Sequence, residues 1–175
     1  MSPKPFTTST LQQKASNEFG YSPKITMRLA QTLYEGGHIT YMRTDSVKYC
    51  KEFTDNASKF ITNKYGEDYV SPFINGITIG QKIEEKKTKK KNKSKKKNEN
   101  NAQEAHESIR PTKINVEKLV EKGKITAKEA KVYYLIWRNT VESCMAPAKY
   151  LSITAKITSP DNHLYKHSEE QVVFP

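Results

Sequence analysis

A chain of 175 residues, 35% of them apolar and with a net charge of +11, is sized for one domain, or one domain plus a fragment. No apolar run approaches the roughly 18–20 residues of a membrane span, and no apolar run follows Met1-Ser2-Pro3-Lys4-Pro5 as a signal peptide requires. The two cysteines, Cys50 and Cys144, lack metal-ligand spacing and point to an intracellular, reducing setting.

The Thr7-Thr8-Ser9-Thr10 cluster supplies hydroxyls to cap a first helix. Leu11, Ala15 and Phe19 give it one apolar face, and Gly20 stops it. Ser22-Pro23 opens a second helix, with Ile25, Leu29, Ala30 and Leu33 as its buried stripe and Gly36-Gly37 as its end. Two short helices joined by a tight turn have helix-turn-helix character. Ile39–Met42 reads as a short strand or extended segment. Asp45 or Ser46 is placed to cap a third helix, whose apolar positions are Val47, Cys50, Phe53, Ala57, Phe60 and Ile61.

Residues 65–102 read as a long loop with an apolar island at Val70–Ile79. Nine lysines fall within residues 86–97, and without them the net charge of +11 drops to +2. This tract, part of an insertion over about residues 84–101, is expected to be disordered; it could add sequence-independent attraction to DNA, or be no more than a solvated insertion. Val116–Lys122 is a weak helix candidate. Thr126 and Glu129 match a capping box for a strong helix through Ala130, Tyr133, Ile136, Trp137, Val141 and Cys144, ended by Pro147. Both cysteines fall within helical patterns, where they are expected to serve as small buried hydrophobes. Leu151, Ile153, Ala155 and Ile157 then alternate with polar residues as in a half-buried strand. Ser159-Pro160-Asp161-Asn162 turns the chain into a second strand.

The chemistry concentrates in Ile39-Thr40-Tyr41-Met42-Arg43-Thr44-Asp45-Ser46. A tyrosine can act as a covalent nucleophile, and an arginine two residues away can hold a phosphodiester. An ordinary strand bearing a surface Tyr and Arg is the plain alternative. Three further blocks accompany the segment: Pro5–Gln13, Thr26–Gly36 and Ala102–Thr112, the last containing Gln103-Glu104-Ala105-His106-Glu107-Ser108-Ile109-Arg110-Pro111. Leu135-Ile136-Trp137-Arg138 and Met145–Tyr150 follow. Over about residues 5–157 these blocks resemble the type IA DNA topoisomerases, and Met42 favours the bacterial topoisomerase I branch.

That resemblance implies single-strand DNA cleavage and religation through a 5′-phosphotyrosyl intermediate. Tyr41 would be the nucleophile, Arg43 the phosphate clamp and His106 a hydrogen-bond donor near the scissile phosphate. Gln31, Glu35, Thr40, Thr44, Asp45 and Arg110 would line the site or touch DNA. His106 and Arg110, four apart, would share a face if that stretch were helical. The expected fold is mainly α: a winged-helix (CAP-like) domain over residues 1–147, then residues 148–175 as the start of a β-rich hinge domain. Mg²⁺ would belong to a separate acidic, Toprim-like N-terminal domain, and no metal site is expected here. That domain, a gate domain and single-stranded DNA are the implied partners, and the isolated chain is expected to be inactive. A non-catalytic helix-turn-helix module that binds nucleic acid is the alternative from another class.

Overall fold

A computed structural model of the chain describes residues 2–80, 106–119, 125–159 and 163–174. Four helices form the body: α1 (Thr8–Phe19), α2 (Pro23–Glu35), α3 (Lys51–Tyr65) and α4 (Ala127–Cys144). A two-stranded antiparallel hairpin follows, β1 (Lys149–Thr158) and β2 (Leu164–Phe174). The lysine tract at 86–97, and the insertion around it, lie outside the described residues.

Local chemistry sets three of the helices. Thr7 caps α1 with a reciprocal Thr7–Thr10 box, and Gly20 closes it in a left-handed conformation at φ 68°. Ser22 caps α2, with Pro23 at the first helical position. Thr126 and Glu129 form the expected capping box of α4. That helix is the hub of the fold, because eleven of its eighteen residues are buried, far more than one stripe. Leu11 and Ala15 of α1, Leu29, Ala30 and Leu33 of α2, and Phe53, Ala57 and Ile61 of α3 join it in one core. Its buried polar groups are satisfied: Asn139 donates to the Lys4 carbonyl at 3.0 Å, and Ser143 to the Thr140 carbonyl at 2.7 Å. Burial pushes the Cys144 thiol up to about 12, so it is a small hydrophobe, as expected.

The third helix starts at Lys51, with Cys50 as its cap residue; neither Asp45 nor Ser46 caps it. Long-range pairing keeps the chain extended up to that point. The Tyr49 amide donates to the Ile77 carbonyl at 2.7 Å, and the Ile79 amide to Tyr49 at 2.9 Å. Tyr49 is fully buried, while Val47, read as a core position, is 41% exposed. Cys50 is only half-buried. The Val70–Ile79 island contains one 3-10 turn, Ile74–Ile77, and another, Glu67–Tyr69, precedes it.

The stretch through His106 and Arg110 is not helical, and neither is the described part of the Val116–Lys122 candidate. Residues 106–110 are extended, because their backbone groups bond Phe6, Thr40 and Lys48. Residues 116–119 are irregular, and 120–122 lie outside the described residues. There the carbonyls of Ile114 and Val116 accept from the Trp137 indole at 2.7 Å and the Tyr133 hydroxyl at 2.6 Å. The hairpin is not half-buried. Every residue of β1 is exposed, and Ile153 and Ile157 pair with Glu169 and Tyr165 rather than with a core.

Stability should track this arrangement. Ile136→Ala, in the middle of α4, is expected to cost about 2–5 kcal/mol in denaturant unfolding. Phe73→Ala, at a residue 70% exposed, should stay within about 0.5 kcal/mol.

Candidate active site

The tyrosine segment leaves α2 through the double glycine. Gly37 sits at φ +72°, and a Cβ on Gly36 would fall 2.8 Å from the His38 ring. Beyond that turn, bonds on both sides hold the chain extended. The Thr40 amide donates to the Arg110 carbonyl at 2.9 Å, and the Arg110 amide donates to the Thr40 hydroxyl at 3.0 Å. Ile39 bridges Pro111. On the other side Thr8, at the start of α1, donates its hydroxyl to the Met42 carbonyl at 2.8 Å and accepts from the Thr44 amide at 2.9 Å. Ile39 and Met42 anchor the segment in the core, each 1% exposed, so Tyr41 is turned outward at 43%.

Two clefts flank this segment. One, of about 300 Å³, is lined by Tyr34, Thr40, Tyr41, Thr44, His106 and Glu107. The other, of about 630 Å³, is lined by Thr7, Thr8, Ser9, Gln12, Arg43, Thr44 and Asp45. Tyr41 and His106 therefore share a cleft, Arg43 and Asp45 share its neighbour, and Thr44 borders both. The Tyr41 hydroxyl has no hydrogen-bond partner among the described residues, and Arg43 has no ion pair among them.

Three of the other residues anticipated from sequence, Gln31, Glu35 and Arg110, lie apart from the clefts. Gln31 donates to Glu35 at 2.6 Å along α2, and neither lines the two clefts. The Arg110 guanidinium lies 4.2 Å from the Phe53 ring centroid and is bonded to Glu107. It too lines neither cleft. The Thr40 hydroxyl is engaged internally, donating to the Ser108 carbonyl at 2.9 Å.

Sequence reasoning missed Tyr34, whose ring meets that of Tyr41 edge-on with centroids 5.3 Å apart. Tyr34 lies outside the buried stripe of α2 and is 41% exposed. It missed Glu107 as well, for which adjacency to His106 was the available signal. The Thr7–Ser9 hydroxyls, read only as caps, also line the cleft of Arg43. Partial burial would raise the Glu107 carboxyl, but the Arg110 bonds and charge and the Cys50 amide hold it below the usual carboxylate range. It is therefore a fixed negative charge at neutral pH. Among the described residues no group of three or more His, Cys, Asp or Glu side chains can hold a metal ion. No helix among the described residues is long and apolar enough to cross a membrane.

A phenol and an imidazole on one cleft, with a guanidinium beside it that has no ion pair among the described residues, suit phosphodiester chemistry. Comparisons with known proteins agree in kind. The family model described as DNA topoisomerase matches residues 1–175. The chain is 43% identical over 180 residues to the "DNA topoisomerase 1 type prokaryotic" of Acanthamoeba polyphaga mimivirus, covering 98% of this chain and 18% of that protein. It is 39% identical over 181 residues to DNA topoisomerase 1 of Campylobacter jejuni, covering 98% of this chain and 23% of that protein. The structure of full-length topoisomerase I from Thermotoga maritima superposes with a TM-score of 0.74 at 30% identity, over 99% of this chain and 26% of that one. This chain thus spans about a fifth to a quarter of the length of these relatives. Matched along its whole length by the family model, the chain belongs to the type IA DNA topoisomerases, as a segment similar to part of bacterial topoisomerase I.

Proposed function

We propose that this chain carries the strand-cleaving tyrosine of a DNA topoisomerase. The observation that carries the reading is the outward-facing Tyr41, held on an anchored segment in a cleft that it shares with His106. In the proposed step Tyr41 Oη gives up its proton and attacks the phosphorus of a single-stranded DNA phosphodiester. The Oη–P bond forms, the P–O3′ bond breaks, and the 3′-oxygen departs with a proton as a free hydroxyl. The reverse step reseals the strand. The phosphotyrosyl ester conserves the energy of the broken bond, so no ATP is required.

Arg43 offsets charge that builds on the phosphoryl oxygens from the adjacent cleft, and His106 donates a hydrogen bond to one of them. Thr44, bordering both clefts, and Asp45 line the path of the strand. Thr40 acts through its internal bonds. Gln31 and Glu35 would act at the margin, toward a partner domain. Mg²⁺, on this reading, belongs to an acidic domain of the same enzyme, and no step here runs through it.

The finer fold reading is that α1 and α2, joined by a tight turn, are the helix-turn-helix of a winged-helix (CAP-like) body over residues 1–147. Residues 148–175 then begin a β-rich hinge domain, supported by a hairpin whose apolar residues find no cover among the described residues. Single-stranded DNA and the acidic and gate domains are the proposed partners, in an intracellular setting.

The covalent adduct is the test. The chain is mixed with labelled single-stranded DNA, Mg²⁺ and the remaining domains of a relative, then denatured. A labelled protein band is expected, and Tyr41→Phe should remove it. A band that persists in Tyr41→Phe, or a nucleotide mapped by mass spectrometry to another side chain, would overturn the assignment. A DNA complex without any adduct would favour a binding module. Arg43→Ala should slow single-turnover cleavage by about 10²–10³-fold, as loss of a charge-stabilising donor does elsewhere. Without added domains, the chain should not relax supercoiled DNA.

A further inference from the structure

Resting on the reading of Tyr41 and His106 above, we infer that Glu107 and Arg110 are positioning residues whose ion pair holds the His106 imidazole in the cleft of Tyr41. The backbone around them explains why such a brace is needed. Ser108 is fixed by its amide on the Lys48 carbonyl at 2.8 Å and its hydroxyl on the Phe6 carbonyl at 2.6 Å. Ile109 is fixed on Phe6 and Arg110 on Thr40. His106 lies two residues before the first of these ties, so the Glu107 side chain is its nearest anchor among the described residues.

That anchor is firm. Glu107 accepts from Arg110 Nε at 2.7 Å, from Arg110 Nη2 at 3.0 Å and from the Cys50 amide at 3.2 Å. The Cys50 amide is fixed in its turn at the start of α3. Arg110 is held from the other side by the Phe53 ring, and its Nη1 donates to the Pro111 carbonyl at 3.1 Å. Its side chain is 12% exposed. Nε, Nη1 and Nη2 all have protein partners, so this guanidinium is spent inside the protein rather than on DNA. The two-point fork needs arginine, because a lysine ammonium offers the same charge from a single point.

The experiment separates a brace from a DNA contact and from a merely structural pair. In chain labelled at histidine and tyrosine, ring-to-ring NOEs between His106 and Tyr41 are expected. Arg110→Lys and the near-isosteric Glu107→Gln should each weaken them by about half or more. The Trp137 indole resonance, fixed by its bond to Ile114, should stay unchanged as a check on folding. With the remaining domains supplied, both variants should slow cleavage at saturating DNA by about 10–100-fold, the scale of a misplaced group. DNA affinity and its salt dependence should hold.

Unchanged NOEs in either folded variant, or no such NOEs in the unsubstituted chain, overturn the inference. So does an Arg110→Lys defect confined to affinity, with a salt slope lowered by about 0.7 as for a lost single-strand phosphate contact. Adduct formation that survives Tyr41→Phe would instead sink the nucleophile assignment, and the NOE result would still decide the brace.

Discussion

The hydroxyl of Thr40 sits where the functional segments join. It donates to the Ser108 carbonyl and accepts from the Arg110 amide, while the Thr40 amide donates to the Arg110 carbonyl. Three short bonds thus splice residues 39–46 to residues 106–112, about seventy positions away in sequence. Ser108 and Ile109 are completely buried behind this join, and each bonds Phe6 as well. Unpaired polar groups at such depth are costly, so the three strands of chain hold or fail together. That join brings the segments bearing the tyrosine and the imidazole to one cleft.

The same logic explains why the site is built from extended chain on a helical platform. Helices α1, α2 and α3 close on α4, whose eleven buried residues give the platform its rigidity. The start of α1 then grips the tyrosine segment through Thr8. On the proposed reading, a nucleophile must be presented with little freedom yet remain open to a bulky polymeric substrate. Buried Ile39 and Met42 on either side of an outward Tyr41 meet both demands.

What sequence conveyed divides along the range of the forces involved. The caps of α1, α2 and α4 are local chemistry, and Thr7, Ser22 and the Thr126–Glu129 pair identified them directly. The start of α3 was misplaced because Asp45 and Ser46 look like caps, whereas the backbone there is already committed to Ile77, Ile79 and Ser108. Periodicity gave α4 one stripe, and only tertiary packing makes it a hub. Tyr41, Arg43 and His106 were singled out by resemblance to a family, and residue chemistry alone left Tyr41 a surface tyrosine. The partners of Arg110 escaped notice because a helical stretch would have pointed it toward the cleft. In the extended chain it meets Phe53 of α3 instead.

The ties at Lys48 and Tyr49 have a further consequence. Ile79 bonds the Tyr49 carbonyl and Ser108 bonds the Lys48 carbonyl, so the chain departs from and returns to neighbouring residues. The geometry of both moorings is independent of how many residues lie between them. Lengthening such an excursion costs closure entropy only logarithmically, about 0.6 kcal/mol per doubling. Evolution can therefore rewrite that stretch in size and charge while the register of the tyrosine segment stays untouched.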